Sequence, residues 1–82
     1  MAFIVYILYS KSKDKYYIGQ TNDLERRFHE HNSSQSKSTR SGIPWKIVYI
    51  KSFNSRSEAV KMETKIKKMK SRKYIEYLIQ SG

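Results

Sequence analysis

The sequence predicts a small α+β domain, a three-stranded antiparallel sheet with its first strand central and three helices, in the order β-β-α-β-α-α. Three observations lead there. Two strand-like runs follow one another at the N-terminal end, a third lies beyond a serine-rich stretch, and the other segments repeat their apolar residues at helical intervals. A chain of 82 residues has room for one domain spanning 1–82 and one small core.

Residues 3–9, FIVYILY, are β-branched and aromatic without a polar break, which suits a strand covered on both faces and hence a central one. Alternation assigns Phe3, Val5, Ile7 and Tyr9 to one face and Ile4, Tyr6 and Leu8 to the other. The polar run from Ser10 reverses the chain, and Lys15 to Gln20 extends again, giving a hairpin with a loop of about four or five residues. Gly19 falls where a backbone must turn or approach something closely.

Asn22 followed by Glu25 reads as a helix start, with Asp23 adding favourable charge to the first turn. That helix runs from about Asp23 to His31. Leu24 and Phe28 face the core, while Arg27 and His31, also one turn apart, occupy a neighbouring flank. Residues 32–42, NSSQSKSTRSG, lack apolar periodicity and predict a mobile loop in which Lys37 and Arg40 are the residues to test for a backbone clamp.

Trp45 to Phe53 alternates apolar with polar residues and predicts the third strand. Ser55 with Glu58 starts another helix, whose buried stripe is Ala59, Met62, Ile66 and Met69. Ser71 caps a last helix with Tyr74, Ile75, Leu78 and Ile79 turned inward.

Composition narrows the chemistry. Seventeen Lys and Arg against seven Asp and Glu give a net charge of +10, which favours a polyanionic partner, with nucleic acid ahead of an anionic membrane surface. The absence of cysteine removes disulfides, thiolate zinc sites and thiol nucleophiles together, and fits reducing cytoplasm. The apolar opening is too short to span a bilayer and carries no signal-type pattern, so no membrane association is expected. His29 and His31, two apart on a helix, point to nearly opposite sides and make no zinc pair. A Gly-rich phosphate loop and a Ser-His-Asp set are both missing.

One stretch is more specific. In residues 4–27, IVYILYSKSKDKYYIGQTNDLERR, Ile4-Val5-Tyr6 and Tyr17-Ile18-Gly19 resemble the two halves of the GIY-YIG nuclease signature. Arg27, His31 and Glu63 follow at family-like spacing, so the resemblance covers nearly the whole chain and looks like the small single-domain bacterial type. It is similar to the catalytic domain of homing endonucleases and of the excision-repair incision subunit. Three positions depart: Ile4 stands where the family name has glycine, Gln20 where some members carry lysine, and Ile75 where larger enzymes carry asparagine.

The resemblance implies the same fold and a metal-dependent endonuclease. Phosphodiester cleavage needs a nucleophile, a proton acceptor, positive charge on the phosphoryl oxygens and help for the departing oxygen. By analogy with the family, Tyr6 positions and deprotonates water with Tyr17 hydrogen-bonded beside it, Arg27 and His31 favour a phenolate and brace the phosphate, and Glu63 holds a single Mg²⁺ or Mn²⁺. An unperturbed tyrosine, with a pKa near ~10, is ionised in only about one molecule in a thousand at neutral pH. Neighbouring cations must lower that value or the proton must leave by a relay. Lys67, Lys68 and Lys70, in the basic run 65–73, are candidate nucleic-acid contacts with Lys37 and Arg40. Plainer roles exist for each residue: strand aromatics for the tyrosines, a surface cation for Arg27, dipole compensation for His31, and an ion pair with Lys67 for Glu63.

Two functions are carried forward. The first is hydrolysis of DNA phosphodiester bonds, at branched or damaged structures in DNA repair or recombination; the second is a non-catalytic basic nucleic-acid-binding module. The expected state is a monomer or weak dimer; a lone site cuts one strand, so a double-strand break would require a dimer or two visits.

Overall fold

The computed structural model describes residues 2–33, 35, 37 and 39–81. It contains β1 (Phe3–Ser10), β2 (Lys15–Thr21), α1 (Leu24–Asn32), a short 3₁₀ turn (Arg40–Gly42), β3 (Trp45–Phe53), α2 (Arg56–Met69) and α3 (Arg72–Ser81). The strands form one antiparallel sheet in the order β2-β1-β3. This is the expected α+β fold with β1 central.

The alternation along β1 divides the molecule into two cores. Val5 and Ile7 face Ala59 and Ile66 of α2 and Ile75 of α3, with Phe3, Ile18, Tyr49 and Met62 packed around them. Tyr6 and Leu8 face the other way, onto Trp45, Tyr17, Ile47, and the Leu24 and Phe28 stripe of α1. One helix therefore covers one side of the sheet, and two cover the other.

Several local expectations change. The first helix is capped by Asp23, whose side chain accepts from the Arg26 N–H, rather than by Asn22. The third strand does not alternate simply: Ile7 pairs with Tyr49 and Leu8 with Ile47, so Val48 is an extra residue in a β-bulge that switches the parity of the side chains. Met69, expected in the buried stripe of α2, is 50% exposed, because the helix ends there and Lys70 turns out of it in the left-handed conformation (φ 46). Ile75 belongs to the core beneath α2, which accounts for an apolar residue at that place.

The serine-rich stretch is tied down at both ends. Asn32 accepts from the Trp45 N–H (2.6 Å) and donates to the Trp45 carbonyl (3.0 Å), joining the end of α1 to the start of β3. Thr39 is fully buried. Ser34, Ser36 and Ser38 of the predicted loop lie outside the described residues.

Candidate active site

The site grows from the pairing of β1 with β2. Tyr6 lies directly opposite Gly19, and its ring crosses that residue so closely that a Cβ on Gly19 would stand 2.5 Å from the Tyr6 hydroxyl. Glycine is needed here for space; its φ is not in the left-handed range. Tyr17, two residues earlier on the same face, stacks beside Tyr6 with ring centroids 6.4 Å apart.

The helix capped by Asp23 brings His31 over this pair. Its ring centroid lies 4.8 Å from that of Tyr17, and its Nε2 is 3.0 Å from the Tyr6 hydroxyl. Its other nitrogen, Nδ1, is 2.8 Å from Thr39 Oγ1. Tyr6 and His31 are both buried, 1% and 0% exposed. Thr39 is in turn fixed by Trp45, whose ring N–H donates to the Thr39 carbonyl at 2.6 Å.

The electrostatics set the proton positions. Burial raises the Tyr6 pKa above its ordinary value, opposed by Arg27, which acts on the hydroxyl as hydrogen-bond donor and positive charge. Burial thus favours the phenol form of Tyr6, with Arg27 acting the other way. Burial also lowers the His31 pKa, and Arg27 lowers it further. Both influences favour the neutral imidazole, so Arg27 rather than His31 is the standing positive charge of the cluster. The two ring nitrogens of His31 thus bridge the Tyr6 and Thr39 hydroxyls, with donor and acceptor set by the imidazole tautomer.

Arg27 is the cation of the site. It is part-exposed and bound to Glu30 at 2.7 Å, so a planar guanidinium is presented at the rim of the tyrosine cluster. Glu63 comes from a different element. It lies on α2, and its Oε2 accepts from Lys67 Nζ at 2.8 Å with 20% of the Glu63 side chain exposed, the plainer ion pair anticipated above. Its charge nevertheless reaches Tyr6, where it opposes ionisation.

The expected basic patch divides. Lys37 and Arg40 are exposed on the segment that carries Thr39. Lys67 and Lys70 line a hollow with Arg72 beside the β1–β2 hairpin, whereas Lys68 faces outward from α2 with Lys61 and Lys65. His29 is exposed, as expected. Among the described residues no group of three or more His, Cys, Asp or Glu could hold a metal ion, and no helix is long and apolar enough to cross a membrane.

Sequence reasoning missed Thr39, which no periodicity marks, and the Asn32–Trp45 link that sets its segment. A further feature is the Gln20 side-chain oxygen, buried without a hydrogen-bond partner, on the sheet face that α2 covers.

Comparison with known proteins agrees with this geometry. The family model described as the GIY-YIG catalytic domain matches residues 2–75. A UPF0213 protein of Listeria monocytogenes is 40% identical over 70 residues, covering 84% of this chain and 79% of the relative. A UPF0213 protein of Streptococcus pneumoniae is 39% identical over 67 residues, covering 80% and 68%. The solution NMR structure of a UPF0213 protein from Bacillus halodurans superposes with a TM-score of 0.63 at 36% identity, covering 98% of this chain and 84% of that one.

Proposed function

The chain belongs to the GIY-YIG catalytic-domain family, a nuclease family, and from that premise we propose that it is a metal-dependent endonuclease hydrolysing DNA phosphodiester bonds. The observation that carries this reading is the buried Tyr6–His31–Thr39 chain with Arg27 at its rim. It joins a proton acceptor to a phosphate-binding cation at the surface of a protein of net charge +10.

A phenol at neutral pH is a poor base, and the His31 contact answers that difficulty. As water attacks phosphorus, its proton passes to the Tyr6 oxygen while the Tyr6 proton moves to His31 Nε2; the new P–O bond forms and the bond to the departing oxygen breaks. Thr39 Oγ1, accepting from Nδ1–H, keeps Nε2 unprotonated and steadies the imidazolium that forms. Arg27 holds the phosphoryl oxygens, and their negative charge offsets its opposition to a positive His31. Tyr17 supports the Tyr6 ring.

Glu63 is the residue that would hold a divalent ion. One carboxylate, with substrate oxygens and water completing the shell, suits Mg²⁺ or Mn²⁺. Such an ion supplies Lewis-acid stabilisation of the developing charge. Binding it requires Glu63 to loosen from Lys67. That ion pair is also the observation favouring the second reading, a basic module that binds nucleic acid without cutting it.

The test is nicking of supercoiled and branched DNA with and without Mg²⁺ or Mn²⁺, alongside Glu63→Ala and Arg27→Ala. Metal-dependent cutting lost in both variants is the expected result. Binding without cutting under every metal would establish the second reading. Branched and damaged DNA, as met in repair and recombination, are the first substrates to compare, with RNA as the control for sugar preference.

A further inference from the structure

A second concavity shares a wall with the catalytic cluster. It has a volume of about 210 Å³ and is lined by Lys13, Lys15, Tyr16, Tyr17, Ser41, Gly42 and Trp45. We propose that it is a subsite for one unstacked nucleobase of the strand being cut, so that the preferred substrate carries an unpaired nucleotide beside the scissile phosphate. This rests on the nuclease reading above and names its substrate class.

Size, chemistry and position support it. The volume lies below the ~300–1,000 Å³ of pockets for drug-sized ligands, enough for a planar ring system rather than a whole nucleotide. Three aromatic residues line it, and two of them, Tyr17 and Trp45, meet edge-on with centroids 6.3 Å apart. Two lysines supply positive charge for the adjoining phosphate, and among the described residues no carboxylate lines it. Aromatic walls with basic residues are the usual way single strands are held, since every base offers a flat face.

The wall is fixed before any ligand arrives. Trp45 is 7% exposed and held through its ring N–H to Thr39 and its backbone to Asn32. A Cβ at Gly42 would run into the Trp45 ring and stand 3.0 Å from Ser10 Oγ, so glycine keeps the ring where it lies. Tyr17 belongs to both places, lining the concavity and stacking on Tyr6 at 6.4 Å. A strand with its phosphate at Tyr6 and Arg27 has its neighbouring nucleotide here. In a continuous duplex that base must first be pulled from its stack, at a cost that an already unpaired nucleotide avoids.

Trp45 is the sole tryptophan and reports on the site directly. The full chain, with EDTA present so that nothing is cut, is titrated with an oligothymidylate, a duplex of equal length and the same oligothymidylate with abasic positions, reading tryptophan fluorescence. The single strand should quench Trp45, and removing bases should weaken its binding roughly 5- to 100-fold. Ser41→Phe, at an exposed lining position, should fill the space and weaken single-strand binding about tenfold while sparing duplex binding; Lys13→Ala with Lys15→Ala should weaken the single strand more than the duplex. Equal affinity for intact and abasic strands, or no effect of Ser41→Phe, overturns the subsite. Cutting assays separate the two ideas: efficient cleavage of fully paired duplex with no gain from an unpaired nucleotide refutes the subsite and leaves the nuclease. Base-dependent quenching without cleavage under any metal refutes the nuclease and leaves the subsite.

Discussion

The two faces of the sheet are built from the same strand and obey different rules. Beneath α2 and α3, Val5 and Ile7 meet Ala59, Ile66 and Ile75 through hydrocarbon alone, and every buried methylene there contributes to stability. Beneath α1, an equally closed space holds a phenol, an imidazole and a threonine hydroxyl linked in a row. Burying those groups is tolerable only because each has a partner. One face holds the protein together, and the other keeps titratable groups dry and aimed.

Substitutions should separate the two faces. Tyr6→Phe gives the largest expected effect, a loss of roughly 10²- to 10⁴-fold in cleavage rate, with the cooperative unfolding transition retained. A rate within twofold of the unsubstituted chain would remove Tyr6 from the chemistry and merge the two faces into one ordinary core. Ile66→Ala should do the reverse. It costs about 2–5 kcal/mol in denaturant unfolding and leaves the activity of the molecules still folded unchanged.

Thr39→Val comes next. It keeps the shape, removes the acceptor for His31 Nδ1–H, and should slow cleavage near tenfold, with Thr39→Ser restoring it; nitrogen-15 shifts of the His31 ring would show the tautomer drifting in the valine variant only. Acid supplies a gentler probe. Because burial holds the His31 pKa below its unfolded value, the unfolded chain binds the proton more readily. The stability from neutral His31 is therefore full above about pH 6.5 and lost progressively as pH falls below it. His31→Gln should flatten that part of a melting-temperature profile between pH 7.5 and 5. Smallest of all, Lys67→Ala should change stability by no more than about 0.5 kcal/mol, since the Glu63 pair is part-exposed; a larger loss would make that pair structural.

The hydrocarbon face was the more legible of the two in sequence. Strand alternation placed Val5 and Ile7, helical spacing placed Ala59, Ile66 and Ile75, and Ser55 and Ser71 marked helix starts through their side-chain caps. The polar face was readable only in part. Tyr6, Tyr17 and Arg27 stood out because their types and spacing resembled a signature, whereas the full burial of His31 depends on Thr39, eight residues on in a stretch without pattern. The Val48 bulge was hidden by the unbroken apolar run from Ile47 to Ile50, which fits either parity. Asn22 and Asp23 are both good caps, and only backbone geometry decides between them.

That extra residue in β3 has a consequence for how copies of this molecule behave at high concentration. A straight outer margin nine residues long, with Ile50 half uncovered, would be a template on which another chain's backbone could zip. The crook at Val48 breaks the ladder's even spacing, and Lys46 and Lys51 set like charges against any second copy arriving there. Along the β3 edge, one misfit residue and two lysines thus oppose pairing between copies.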